Sequence, residues 1–225
     1  MRQPTRIVLA TVGVVALVPS LVACTADRDA AGVPALTTTT MPVTVAPTEP
    51  PVRSLAMIGD SITNGSEVEL REQLAVLGIE VQAIDAEDAR RITFDGTAES
   101  GLQAVTTLAA QRPPDLWVIA LGTNDIAQYD GAEDYAPVIE QLVDAVPADA
   151  PLVWVDVYLE SSPTASAEFN ATLRAALRER GNAIVVEWAA LADEDGVLRD
   201  GIHPSGYGID KFAELVTTAV AEWTA

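Results

Sequence analysis

Between residues 55 and 186 the chain alternates short apolar runs with longer segments whose apolar positions recur every three or four residues. The short runs cover residues 55–59, 79–84, 116–121, 152–158 and 183–186. They are nearly continuous in Val, Ile, Leu and Trp, the pattern of parallel strands covered on both faces. The periodic segments predict helices over about 67–77, 101–111, 132–146, 165–180 and 208–223. In the first, Leu70, Leu74 and Leu77 share a face and Gly78 stands where the helix ends. The second stops before Pro113-Pro114, and the fourth at Gly181. The last buries Ile209, Phe212, Leu215, Val216, Val220 and Trp223. Five strand–helix alternations predict a doubly wound, three-layer α/β/α sandwich with right-handed crossovers, built from residues 52–225.

The first fifty residues follow other rules. Arg2 and Arg6 precede seventeen uncharged residues, 7–23, the pattern of an export signal. The run ends in Leu21-Val22-Ala23-Cys24, which resembles the bacterial lipoprotein box. That resemblance implies a signal peptide over 1–23, cleavage before Cys24, and lipid on that cysteine. The remainder would then face outward, anchored to the membrane. An uncleaved membrane helix is the alternative, since the run is at the short limit for spanning. Pro19 and the cysteine after the run favour the lipoprotein. Residues 24–51 form a linker: 37–51 hold six threonines and four prolines, too little apolar surface to fold.

Composition narrows the functional classes. The formal net charge of −20 repels phosphate backbones, so nucleic acid is not an expected partner. Cys24 is the only cysteine, which excludes an intrachain disulfide, and His203 is the only histidine. No cluster of zinc-type ligands is visible, and no metal is expected.

Three polar clusters fall after strands or before helices, on the edge where a parallel sheet presents its loops. They are Gly59-Asp60-Ser61, Gly122-Thr123-Asn124-Asp125 and Asp200-Gly201-Ile202-His203-Pro204. A serine hydroxyl is a poor nucleophile until a base takes its proton, and the base needs an acceptor to fix its tautomer. His203 could be that base, with Asp200 holding one ring nitrogen while the other faces Ser61. Asn124 and the Ser61 N–H could donate to a developing oxyanion. Simpler roles are open to each residue. Ser61 could cap the next helix, His203 could be structural, and Asn124 and Asp125 could be turn residues. Asp60 holds the turn, and Asp193-Glu194-Asp195 is a solvated loop. Residues 127–135, with Tyr129 and Tyr135, could wall a pocket or simply connect the third strand to its helix.

In order, Gly59-Asp60-Ser61-Ile62, Gly122-Thr123-Asn124-Asp125 and Asp200-Gly201-Ile202-His203-Pro204 resemble blocks I, III and V of the SGNH, or GDSL-type, hydrolases. The resemblance runs from Leu55 to the C-terminus. It implies the SGNH hydrolase fold, with a five-stranded parallel sheet in the flavodoxin-like order 2-1-3-4-5. It also implies a Ser61–His203–Asp200 triad without metal or organic cofactor. The oxyanion hole would comprise the Ser61 N–H, a block II N–H and the Asn124 side chain. Block II departs from the family pattern. Asp85-Ala86-Glu87-Asp88-Ala89-Arg90-Arg91-Ile92 resembles the Asp-Ala-x-x-Gly-Arg-x-Ile form of bacterial envelope members, with Ala89 where glycine is expected. The N–H survives that change, but alanine is strained there if φ is positive. Gly96 and Gly101 are less well-spaced alternative donors.

The resulting expectation is an envelope-anchored serine esterase that hydrolyses or transfers short acyl or acetyl esters, with cell-wall polysaccharide as the suggested substrate. A lipase or thioesterase acting on lipid acyl chains is the nearest enzymatic alternative. The rival from another class is a surface-anchored binding protein that kept the fold and lost turnover, for which Ala89 is the one feature.

Overall fold

The computed structural model describes residues 52–94, 98–129 and 131–224; the expected signal peptide, Cys24 and the expected linker lie outside them. Five parallel strands form one sheet in the order β2-β1-β3-β4-β5, which is the expected order. They are β1 (Ser54–Gly59), β2 (Glu80–Ala86), β3 (Leu116–Ala120), β4 (Leu152–Val155) and β5 (Ala183–Val186). The helices are α1 (Ser61–Ala75), α2 (Gly101–Gln111), α3 (Ala132–Ala145), α4 (Pro163–Arg180), α5 (Trp188–Ala192) and α6 (Gly206–Ala221).

Inside the continuous apolar runs lies a period of two. Leu55, Met57, Val118 and Val153 meet Leu70, Leu74, Phe212 and Val216 of α1 and α6 on one face. Ile58, Trp117, Ile119 and Trp154 meet Val105, Ile139, Leu142 and Phe169 of α2, α3 and α4 on the other. Each buried Val, Leu or Ile contributes about 1.5–3 kcal/mol. The central strands β1, β3 and β4 are buried throughout, whereas only Ile84 is buried in the edge strand β2 and only Val186 in β5.

Three boundaries differ from the expectation. Helix α1 starts at Ser61, six residues before the periodicity becomes visible. Its first turns bury Ile62, Thr63 and Ser66 rather than a row of leucines, and Gly65 interrupts the helical signal. Strand β4 stops at Val155, because beyond it the Asn170 side chain takes over the ladder's role. Its Oδ1 accepts the Val157 N–H at 3.0 Å and its Nδ2 donates to Val157 O at 2.8 Å. Helix α5 has five residues, too few to show a period.

The register positions the chemistry. Gly59 at the end of β1 pairs with Ala86 of β2 on one side and with Ala120 of β3 on the other. The loops that follow β2, β1 and β3 therefore emerge side by side at the C-terminal edge. The chain runs from β1 outward to β2 and then crosses back over β1 to β3, so the switch point where α/β sheets bind ligands lies between β1 and β3.

Candidate active site

Asp60 is the single residue between β1 and α1. Its Oδ1 accepts the Ile62 N–H at 2.9 Å, making it the N-cap of α1. The capping role open to Ser61 is thus taken by its neighbour. Ser61 opens the helix, where a backbone N–H has no intrahelical acceptor. Its hydroxyl lies 3.1 Å from His203 Nε2. Gly59 is required by close approach: a Cβ there would stand 2.1 Å from Thr63 Oγ1.

His203 sits in the connection between α5 and α6, which a Leu198–Pro204 bridge closes. Asp200 Oδ1 accepts the His203 N–H at 2.7 Å and the Ile202 N–H at 3.1 Å, while Oδ2 lies 3.0 Å from His203 Nδ1. These bonds, the His203 backbone N–H foremost, pull the Asp200 carboxyl down to about 2. An ionised carboxylate only accepts, so Nδ1 carries the ring proton and Nε2 faces the Ser61 hydroxyl as an acceptor. The structure brings Ser61, His203 and Asp200 together in the order that the resemblance implies.

Ala89 adopts φ +62°, the left-handed conformation in which alanine is strained by about 1–2 kcal/mol. Its N–H donates to no protein acceptor among the described residues. The competing donor Gly101 is spent, since its N–H donates to Arg91 O at 2.8 Å. Gly96 lies outside the described residues. Asn124 is placed between the other two loops: Nδ2 donates to Asp60 Oδ2 at 3.3 Å and to Arg90 O at 3.1 Å. Both amide protons are therefore engaged, and donation to an oxyanion requires that one of these bonds yield. Tyr135 does not wall a pocket. It is a buried residue of α3 that donates its hydroxyl to Ile126 O and packs edge-on to Phe169, and Tyr129 stacks edge-on to it.

Three residues whose roles sequence alone does not reveal support this edge: Asp125, expected in a turn, Arg90, in block II, and Asp156, expected inside the fourth strand. Asp125 is wholly buried and accepts the Ile92 N–H, tying the third loop to the second. Arg90, also wholly buried, bonds back to the end of β1. Asp156, buried just past β4, accepts the Ala189 N–H at 2.7 Å and pairs with Arg174 at 2.7 Å, fixing the start of α5. Polarity alone could not single these out, because a charge beside a strand end looks the same whether solvated or enclosed.

Burial pushes the carboxyls of Asp60 and Asp125 up to about 7 and that of Asp156 up to about 6. All three lie above the unfolded value near 3.9. Between about pH 4 and 7 the folded state therefore binds more protons than the unfolded chain, and stability falls as pH rises through that window. The thermal midpoint is expected to be higher at pH 5 than at pH 8. The difference should persist at 0.5 M NaCl, which screens the general repulsion of a highly acidic chain. A midpoint in that salt that rises from pH 5 to pH 8 would contradict it.

The chain matches the model of the GDSL-like lipase/acylhydrolase family over residues 57–210. No curated protein matches it. Among solved structures it is similar to TesA, with 20% identity and a TM-score of 0.62, covering 74% of this chain and 97% of that one. It is similar to the C-terminal catalytic domain of peptidoglycan O-acetyltransferase A from Streptococcus pneumoniae, with 18% identity and a TM-score of 0.62, covering 77% and 95%. It is also similar to the psychrotrophic esterase EstA from Pseudoalteromonas sp., with 14% identity and a TM-score of 0.61, covering 76% and 98%. At these identities the likeness is one of fold.

Proposed function

Because the chain belongs to the GDSL-like lipase/acylhydrolase family and is a carboxylic ester hydrolase of that family, we propose that it is an envelope-anchored serine esterase acting on short acyl esters through Ser61, His203 and Asp200. The observation that carries this reading is the unbroken hydrogen-bond line from Ser61 Oγ through the His203 ring to Asp200 Oδ2.

In the proposed reaction Ser61 Oγ attacks the ester carbonyl and its proton passes to His203 Nε2. Asp200 stabilises the imidazolium and holds its orientation. The carbonyl electron pair moves onto oxygen, where the N–H groups of Ser61 and Ala89 receive it, joined by the Asn124 amide. Collapse breaks the ester C–O bond, and His203 returns the proton to the leaving alkoxide. Water, deprotonated by the same ring, then releases the acyl group from Ser61. A sugar hydroxyl in place of water would make the reaction an acyl transfer. No step calls for a metal or organic cofactor.

Support for the location is in the N-terminus. The basic start, the uncharged run ending at Cys24 and the Thr/Pro-rich linker suit a lipid-anchored domain held off a membrane surface. A polysaccharide ester as substrate accords with the likeness to the O-acetyltransferase domain. The experiment is hydrolysis of p-nitrophenyl acetate, butyrate and decanoate by the full chain, with fluorophosphonate labelling of Ser61. Preference for acetate supports the reading. Preference for decanoate favours a lipase or thioesterase, and absence of both turnover and labelling leaves a binding protein. Palmitate labelling compared with Cys24→Ala tests the anchor, and equal labelling of both would sink it.

A further inference from the structure

The fully buried guanidinium of Arg90 is the least expected group at this edge, and every one of its five N–H donors is used. Nε donates to Glu99 O at 2.9 Å. Nη1 donates to Asp85 O at 2.6 Å and, at 3.4 Å, to Gly59 O, two residues before Ser61. Nη2 donates to Asp85 Oδ1 at 2.8 Å and to Glu87 Oε1 at 3.1 Å. One fork thus ties together the end of β1, the end of β2, the block II turn and the residue before the N-cap of α2.

Ala89, the left-handed residue, lies directly before Arg90, and the Arg90 carbonyl is one of the two acceptors that seat Asn124. A strained conformation persists only where its surroundings over-determine it. Here the turn is gripped at several points. The Arg90 N–H donates to Glu87 O at 3.2 Å, Asn64 Nδ2 holds Asp88 Oδ1 at 2.9 Å from the first turn of α1, and Asp125 holds the Ile92 N–H. Of these grips the guanidinium alone is both wholly enclosed and bonded to the end of β1, the strand that leads into Ser61. A buried cation is costly unless paired, and the carboxylates of Asp85 and Glu87 supply the pairing.

We propose that Arg90 is a positioning residue for the oxyanion hole: its guanidinium holds the block II turn in the left-handed form that presents the Ala89 N–H, and so sets the place of the Asn124 amide. This rests on the esterase reading. It makes Arg90 act through its neighbours, with no contact to substrate. Lysine cannot replace it, because an ammonium has three donors on a flexible stem where five acceptors surround a planar fork.

The test compares the full-length protein with Arg90→Lys and with Arg90→Lys combined with Ala89→Gly. Active sites are counted by exhaustive fluorophosphonate labelling, so that unfolded protein does not enter the rate. For Arg90→Lys the expected result is a kcat lower by about 10²-fold, the usual effect of losing one oxyanion donor, with KM unchanged. Glycine adopts positive φ without strain, so the double variant is expected to recover most of the lost kcat, even if its thermal midpoint stays low. A lowered midpoint with kcat per labelled site unchanged overturns the proposal and leaves Arg90 a structural residue. A kcat loss that Ala89→Gly does not relieve overturns it as well. If the wild type shows no Ser61-dependent turnover, the esterase reading fails and takes this proposal with it. Turnover in the wild type together with unchanged Arg90 variants defeats this proposal alone.

Discussion

Ser61→Ala is expected to lower kcat for p-nitrophenyl acetate by as much as about 10⁶-fold, to the background given by binding and the oxyanion donors, the scale seen when a triad serine or histidine is removed. His203→Ala is expected to fall to the same floor. The reason lies in how the three groups depend on one another. Without the ring, the Ser61 hydroxyl has nothing to receive its proton, and without the hydroxyl the ring has no nucleophile to activate. Combining the two substitutions should therefore cost no more than either alone. Asp200→Asn is expected to cost less, about 10⁴-fold. An asparagine can accept the His203 and Ile202 N–H groups through its oxygen, but it presents an NH₂ to Nδ1 and favours the wrong tautomer. Rates should be measured beside the wild type after circular dichroism has shown each variant folded. Equal rates for wild type and Ser61→Ala would remove the basis of the mechanism, and additive losses would show that the residues act separately.

Gly122→Ala is expected to be the most damaging small change to the fold near the site. Gly122 has φ +127°, and a Cβ built on it stands 2.4 Å from Phe169 Cζ. Phe169 cannot retreat easily, being fully buried with its ring edge-on to Tyr135 at 5.4 Å between centroids. Backbone strain of about 1–3 kcal/mol adds to overpacking of about 1–3 kcal/mol. The sum is a large share of the roughly 5–15 kcal/mol that holds a domain together. For a domain of this size it corresponds to a drop of roughly 10 °C in the thermal midpoint. The turn also carries function, since Gly122 O accepts the Asp125 N–H at 2.9 Å and Asn124 lies within the loop. Activity should fall together with stability. Adding Phe169→Leu should restore part of the loss by making room, but not the part due to φ. A midpoint within a degree of the wild type would refute the packing argument.

The sheet was legible in the sequence because buried parallel strands leave long apolar runs that turns interrupt cleanly. Four of the five expected helices begin within two residues of their observed starts, since each has an amphipathic face. The exception, α1, opens at the proposed nucleophile. Its first turns have Asp60 as cap and bury Ile62 with the polar Thr63 and Ser66, so the demands of the site erase the periodicity that marks a helix. Residue order left simpler roles open to Ser61 and His203, and the proposed grouping of Ser61, His203 and Asp200 is what the family resemblance implies. The engagement of both Asn124 protons was not legible. It depends on distances to Asp60 and Arg90, residues 64 and 34 positions away. The left-handed φ of Ala89 was foreseen only as a condition on the missing glycine. Arg90 was invisible for a different reason: arginine is mostly a surface residue, and nothing in the sequence marks this one as wholly enclosed.

The Ser61–His203 hydrogen bond joins positions 142 residues apart, the first helix of the domain to the loop before the last. Contacts of such long range form late, because the loop they close costs chain entropy that must first be met by other structure. Strand β1 pairs only with β2 and β3, and the α6 that follows His203 packs beside α1 on the same face of the sheet, so the bond forms only once both ends of the domain are in place. Until then Ser61 is an ordinary alcohol. A chain that is still emerging, or that has stalled half-folded, therefore carries no activated hydroxyl with which to attack esters in the wrong place. Chemical competence thus depends on closure of the domain from its first helix to the loop before its last.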